Sequence, residues 1–479
     1  MPDLAAAPAA TAAQANPATF VTDSESAISR SDLRALRAAI DGRVLVAGDL
    51  GFDAARGVHN SHYDRQPAVI VRPASAVDVS RAVTTARELD LEIAVKGGGH
   101  SVAGHSATDG GMLIDLGAMR DIGIDPIRRI GSAQGGATAG EYTAAAGARG
   151  FATPFGDTGS VGLGGLTLGG GIGWLARKHG LTIDSLIEVD LVTADGRLVT
   201  VSEAADPDLF WAIRGGGGNF GIATRFRYRL HPIEMVTGGM LVLPLTHQVL
   251  RDLVDVSVAA PEELTQISFV MGLPPAPFVP PEAVGTPAVL VMPVHAGPLD
   301  EGTAAMAPFR AIATPLADMV GPMPYPAMYQ LTAAGEQPGA SVIRSAFMPD
   351  LDSAAIDTIV ERHRSPEGAL GMTQLRVLGG EMARVPAGAT AFAHRDATVM
   401  ATVLAHGEAP YEDLKAYAES YFADLSGQST GVYSNFLGEE APNRLHAAYP
   451  GATYERLVQV KRRVDPDNVF HANHNIRPD

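Results

Sequence analysis

Apolar residues recur at spacings of three and four through Leu33, Leu36 and Ile40, which predicts a helix over Asp32–Ile40 behind a Ser31 cap. The run Ala68–Arg72 is apolar almost without a break and stops at Pro73, the pattern of a buried strand. Ser75 then caps a second helix whose inner face carries Val79, Val83 and Ala86, and a short strand follows at Ile93–Val95. Beyond the apolar stretch Leu113–Leu116, a Gly/Ala-rich helix is expected near Ala139–Ala146. Val189–Thr193 and Leu198–Val201 flank Asp195-Gly196, a hairpin dipeptide, so the neighbouring sheet is at least partly antiparallel. Asp206 opens a short helix through Trp211, and Ile222–Leu230 alternates as a half-buried strand does.

The character of the chain changes at His231-Pro232. Glycine clusters thin out, a Pro-rich loop occupies Leu273–Pro281, and strands alternate with helices expected at Glu301–Ile312 and Tyr411–Leu425. The C-terminal stretch, with a helix over Tyr454–Arg463, regains the earlier character. The expected division is therefore one unit made of 25–232 and 430–479, interrupted by a second at 233–429, behind an Ala/Pro-rich tail at 1–24 expected to be disordered. Lys and Arg total 36 against 53 Asp and Glu, and a net charge of -17 disfavours nucleic acid and anionic membranes as partners. No apolar run approaches the ~18–20 residues that span a bilayer, so a soluble cytoplasmic protein is expected. The absence of cysteine removes disulfides, thiolate nucleophiles and Cys-type metal sites, leaving other side chains or a cofactor to carry any chemistry. No metal site is expected.

Glycine is concentrated in two places. Lys96-Gly97-Gly98-Gly99-His100-Ser101-Val-Ala-Gly104 follows a predicted strand, and nine of the eighteen residues in Gly156–Gly173 are glycine. Backbone N–H groups without side chains can converge on phosphate oxygens, so two such loops suit a long pyrophosphate-bearing cofactor. Gly216–Gly221 matches G-x-G-x-x-G but follows a helix and precedes a strand, the reverse of the dinucleotide-binding context. Neither a Walker A lysine motif nor H-E-x-x-H is present.

Taken in order, the Lys96–Gly104 loop, Gly156-Asp157-Thr158-Gly-Ser-Val161-Gly162-Leu-Gly-Gly165, Leu168-Gly-Gly170-Gly171-Ile-Gly173-Trp174, Gly180-Leu-Thr-Ile-Asp184 and Asn473-His-Asn475-Ile476 resemble the berberine-bridge-enzyme-like FAD oxidases of the vanillyl-alcohol-oxidase superfamily. The resemblance implies an α+β fold: a two-part FAD-binding domain of the p-cresol-methylhydroxylase type with an inserted substrate domain, an antiparallel sheet backed by helices. It implies FAD contacts from those motif residues; Gly221 and Ile222 are further candidate contacts, and His105, five residues past His100 and off the motif position, is the second candidate for the tether, with packing or a polar contact near the flavin as its expected role. It also implies a bond from His100 to the flavin 8α-methyl, for which a neutral imidazole nitrogen is the required nucleophile, and which should raise the reduction potential. Many relatives add a cysteine bond to flavin C6. The matching position here is Thr158, so a singly tethered, 8α-histidyl FAD is expected. Val161 matches the position that governs dioxygen access.

Tyr433-Ser-Asn435 resembles the family's Tyr-x-Asn element, and on a strand its two side chains would share a face toward the flavin. Tyr433 could accept a substrate proton while hydride leaves for flavin N5, if nearby charge or hydrogen bonds lower its pKa. Gln374 and Arg376 share one face of an alternating strand and are candidate substrate contacts, with a solvated edge charge as the other reading of Arg376. Two readings compete. Gly99-His-Ser101-Val-Ala-Gly104 misses the G-x-S-x-G elbow of a serine hydrolase by one residue, and a non-enzymatic flavin-binding protein would share the loops. The expected function is an FAD oxidase acting on a sugar, alcohol or amine C–H, with dioxygen as acceptor and hydrogen peroxide as product, or else a flavin dehydrogenase with another acceptor.

Overall fold

The computed structural model describes residues 28–479 apart from Glu234, Phe278 and Glu440, so the tail expected at 1–24 lies outside the described residues. The first helix runs Arg30–Ala39, and its cap is Ser29, not Ser31: Ser29 Oγ accepts the Asp32 N–H at 3.1 Å, which starts the helix earlier than the apolar spacing suggests. Strand Val69–Arg72, the Ser75-capped helix Ala76–Glu88 and strand Ile93–Lys96 form as expected. Both strands pair in parallel with Met112–Asp115 between them, and Arg43–Leu45 adds an antiparallel edge. The Gly/Ala-rich helix spans Ala139–Gly147.

A second sheet of five strands is antiparallel throughout, in the order Ile122–Asp125, Ile130–Gln134, Ile222–Arg229, Leu186–Val192, Leu198–Ser202. The Asp195-Gly196 turn closes its last hairpin, as predicted. A third sheet has nine strands, all drawn from Met235 to His406 and all antiparallel. On one of its faces Leu375, Ala401 and Val403 pack with side chains from the helices His247–Ala259, Ser353–Arg364 and Tyr411–Leu425. The alternation of a strand then sends Gln374, Arg376, Met400 and Thr402 to the opposite face, toward the glycine-rich half. The helix expected at Glu301–Ile312 is two, Leu299–Ala305 and Ala307–Ala311, because Pro308 has no N–H to offer the Ala304 carbonyl.

The C-terminal segment returns to the first half and is fastened there by a buried charge. Lys461, on helix Ala452–Val464, is fully buried; its ammonium pairs with Asp465 at 2.6 Å and donates to the Asn219 and Phe470 carbonyls, each at 2.9 Å. Asn219 in turn donates to the His474 carbonyl and accepts the Ile476 N–H. Every donor on the ammonium has a partner, so removing it leaves a carboxylate and two carbonyls uncompensated. Lys461→Met should therefore lower the unfolding free energy by about 3–5 kcal/mol in a denaturant titration. Arg128→Met, which removes an exposed pair with Asp125, should leave the denaturant midpoint close to wild type.

Candidate active site

The two glycine runs meet backbone to backbone. A Cβ on Gly98 would lie 2.3 Å from the Gly162 nitrogen, and one on Gly162 would lie 2.2 Å from the Gly98 nitrogen, so neither position tolerates a side chain. Beside this contact the Gly99 carbonyl accepts the His59 N–H at 2.9 Å. His100 stacks on the His59 ring, with centroids 4.1 Å apart and planes 20° from parallel. Burial pushes the His100 imidazole down to about 3, so the ring is neutral at physiological pH. Lys96, expected near the cofactor, turns its side chain the other way: its ammonium is buried against the Ala55 and Gly57 carbonyls, with Asp115 at 3.7 Å. Gly97 faces the Gly135 carbonyl and Gly104 packs on Tyr63. His105 meets His474 edge-on at 4.5 Å.

Ser101 does not form a nucleophile elbow. No helix follows it through Gly111, and its Oγ accepts the His105 backbone N–H at 3.1 Å. The hydrolase reading has no geometry behind it.

The second glycine run is part helix, Leu163–Gly169, where a loop was expected; Gly165 faces open space on it. Three side chains from Tyr329–Glu336 hold the turn before that helix. Tyr329 Oη donates to the Gly156 carbonyl at 2.8 Å, Thr332 Oγ1 donates to the Asp157 carbonyl at 2.7 Å, and Glu336 Oε1 accepts the Gly159 N–H at 2.7 Å. Thr158 and Val161 stand half-buried in this turn, and the Val161 carbonyl accepts the Ala139 N–H. Gly170 faces Phe392 and Tyr433, Gly173 is pressed on the Phe155 carbonyl, and buried Trp174 meets Tyr329 edge-on. Gly221 packs on the Val192 backbone, and the Ile222 side chain belongs to the core, so these two can offer a ligand only their backbone.

Tyr433 and Asn435 do not lie on a strand. Tyr433 precedes a single 3-10 turn, Ser434–Phe436, and the two side chains meet through a hydrogen bond: Asn435 Nδ2 donates to Tyr433 Oη at 3.0 Å. The same phenolic oxygen accepts the Gly171 N–H at 2.9 Å. Those two donors and the charge of Arg376 favour the phenolate, but desolvation outweighs them and the Tyr433 pKa is raised, not lowered. Arg376 is no edge charge. It is buried, pairs with Asp157 at 2.9 Å, and lies 5.5 Å from the Phe436 ring centre, while Gln374 donates to the same Asp157 oxygen at 2.9 Å. Arg376 Nε and Thr402 Oγ1, on the same sheet face, are buried without a partner.

Residue types and motifs had singled out neither His59 nor Glu336, nor Tyr329, Thr332 and Asn219. Each acts through a contact with a segment remote in sequence, and none stands in a local pattern. Asp157 had been noted for its place in the glycine run, not as the partner of Arg376.

The FAD binding domain family matches residues 67–202, and the berberine and berberine-like family matches 432–477. The (R)-6-hydroxynicotine oxidase of Paenarthrobacter nicotinovorans is 31% identical over 458 residues, spanning 92% of this chain and 97% of the relative. This chain belongs to the berberine-bridge-enzyme-like family of FAD-linked oxidoreductases. The crystal structure of 6-hydroxy-D-nicotine oxidase from Arthrobacter nicotinovorans superposes with a TM-score of 0.82 at 28% identity, covering 92% of this chain and 98% of the other. Glucooligosaccharide oxidase from Acremonium strictum, whose FAD is 6-S-cysteinyl and 8α-N1-histidyl, has the same fold, with a TM-score of 0.82 at 24% identity over 94% and 99% of the two chains. The chain is thus an FAD-dependent oxidoreductase with the α+β, p-cresol-methylhydroxylase-type architecture.

The residues present fit FAD. Buried polar atoms without partners stand on the motif segments around the second glycine run and the C-terminus: Ser160 Oγ, Trp174 Nε1, Asn473 Oδ1, His474 Nδ1 and Asn475 Oδ1. Such atoms are costly unless a ligand rich in heteroatoms meets them. For this berberine-bridge-like protein, Gly98→Ala should force the two loops apart at a cost of about 3 kcal/mol, the upper end for overpacking. The fraction of purified protein that carries FAD should fall, read from the ratio of visible to ultraviolet absorbance after gel filtration.

Proposed function

We propose that this protein is a flavin-dependent oxidase whose FAD is tethered through His100 alone, and that it takes hydride from a carbon bearing oxygen or nitrogen in a small organic molecule. Dioxygen then restores the flavin and leaves as hydrogen peroxide. The FAD unit in this reading comprises 25–232 and 430–479, the substrate unit is 233–429, and the protein works in the cytoplasm. Bound FAD would supply the hydride acceptor; the chain supplies binding, orientation and proton transfer. No helix among the described residues is long and apolar enough to cross a membrane.

The observation that carries the catalytic reading is the convergence on the Tyr433 oxygen. Two N–H donors, from Gly171 and Asn435, already point at it, so a negative charge arriving there meets fixed dipoles without reorganisation. Tyr433 Oη takes the substrate's hydroxyl or amine proton, and Asn435 holds the phenol in place. Gln374 and Arg376, tied to Asp157, present an amide and a guanidinium to the substrate beside apolar Met400. The pair of Arg376 with Asp157 cancels most of the local charge, which suits a neutral, hydroxyl- or amine-bearing substrate over a strongly anionic one. Support for the tether comes from the neutral His100 ring at the loop apex and from the histidyl linkage named for the glucooligosaccharide oxidase. With Thr158 at the second position and no cysteine in the chain, one bond is the most it can make.

Acid precipitation tests the tether: yellow colour should stay with the wild-type pellet and be released from His100→Ala, and release from both refutes it. Peroxide formation under air during screening of alcohols, sugars and amines tests the acceptor; reduction of a dye without peroxide would mark a dehydrogenase. Because the Tyr433 pKa is raised, the phenolate fraction at neutral pH is small and grows as pH rises. kcat/KM should therefore climb without a plateau between about pH 7 and 9, and Tyr433→Phe should abolish that climb and lower kcat/KM by about 10²–10⁴-fold.

A further inference from the structure

Arg376, Gln374 and Asp157 close a ring of three hydrogen bonds between the long antiparallel sheet and the glycine turn. Arg376 Nη2 and Gln374 Nε2 each donate to Asp157 Oδ2 at 2.9 Å, and Arg376 Nη1 donates to Gln374 Oε1. All three residues are buried, so the two charges stand at fixed places with little screening by water. The ring lies beside the reacting groups. Its guanidinium is 5.5 Å from the centre of the Phe436 ring, which meets Tyr433 edge-on with centroids 5.2 Å apart. The phenol senses both charges, in opposite directions: Arg376 favours negative charge on its oxygen and Asp157 opposes it. Gln374 is neutral, which leaves Asp157 as the group that offsets Arg376 within the ring. Thr332 Oγ1 anchors the Asp157 carbonyl at 2.7 Å, so the carboxylate is delivered from a backbone that is itself held. A buried ion pair contributes little net stability beyond what apolar residues of the same volume provide, so stability does not account for two charges at this place.

We propose that Asp157 is a specificity-determining residue of this oxidoreductase: by holding Arg376 in the ring it keeps the net charge beside Tyr433 near zero, and so turns the site away from anionic, carboxylate-bearing molecules and toward neutral ones. Without it the same guanidinium would be an anion receptor. This rests on the reading of the Tyr433 face as the substrate site, and goes beyond it by assigning the choice of substrate charge to one carboxylate in the glycine turn. Asp157 acts through Arg376 and exchanges no proton or other atom with the substrate.

Sulfite is the probe, because this small anion adds to an oxidised flavin and bleaches its visible absorbance, so an equilibrium titration of the FAD-loaded full-length protein needs no known substrate. At about pH 9, where carboxylates are ionised, Asp157→Asn should bind sulfite about tenfold more tightly than wild type and Arg376→Gln about tenfold more weakly, the scale of one unit charge several ångströms away. The double variant Asp157→Asn/Arg376→Gln removes both charges and should return to within about threefold of wild type. A side chain that only braced the fold would not give shifts of opposite sign that cancel in the double variant. Single variants both inside that margin, or both shifted the same way, would overturn the proposal. Where the wild-type adduct is too weak to detect, its appearance in Asp157→Asn supports the proposal and its absence there overturns it. If Asp157→Asn does not fold, the weakening in Arg376→Gln and its reversal in the double variant decide by the same criteria. Wild-type turnover in Tyr433→Phe would overturn the reading of the substrate site, and the role of Asp157 with it. Lost turnover in Tyr433→Phe together with flat sulfite affinities would overturn the role of Asp157 alone.

Discussion

Everything at this site depends on two backbones touching where neither has a side chain. Gly98 and Gly162 approach so closely that a single Cβ on either would overlap a main-chain nitrogen. That contact brings a strand-derived loop carrying His100 against the turn that carries Asp157, Thr158 and Val161. The glycines leave main-chain amides of both loops free of side chains, which is the kind of surface a pyrophosphate-bearing cofactor requires. Glycine is costly in conformational entropy, and its density here makes sense only because the close approach returns a binding surface.

Buried charge joins the pieces that the glycines bring near. Asp157, from the glycine turn, pairs with Arg376, from the middle of the long sheet. Asp184 and Arg395 repeat the arrangement, with two hydrogen bonds at 2.7 and 2.9 Å. Lys461, paired with Asp465 one turn on, ties the C-terminal segment to the first half through its bond to the Asn219 carbonyl. Such pairs contribute little net stability against well-packed apolar alternatives, but breaking one leaves an uncompensated charge, so they penalise misplacement of the segments they join. Their value here is geometric: each fixes where a segment sits against the rest of the chain.

Much of the architecture was legible in the chain. The Val69–Lys96 strand–helix–strand unit, the Asp195-Gly196 hairpin, the Asp206-capped helix and helix Tyr411–Leu425 all follow from periodicity and turn chemistry, because those signals act between residues a few positions apart. The misreadings have equally local causes. Ser29 and Ser31 are both competent caps, and only the observed hydrogen bond chooses between them. Lys96 stands in a cofactor motif, yet its long side chain reaches back to Asp115 and two carbonyls, a destination its neighbours in sequence do not reveal. Tyr433 and Asn435 looked like neighbours on a strand and are neighbours across a tight turn instead.

Sequence alone determined the two glycine-dense runs, the placement of a histidine in the first of them, and the impossibility of a thioether bond in a chain without cysteine. Tertiary structure alone decided what surrounds the reacting groups. The Gly171 N–H that reaches the Tyr433 oxygen comes from 262 positions away, and Arg376 meets Asp157 across 219. Periodicity and motif spacing report on residues that are close along the backbone. The field at a buried phenol, guanidinium or imidazole is set by whichever dipoles and charges the packed chain carries to within a few ångströms of it.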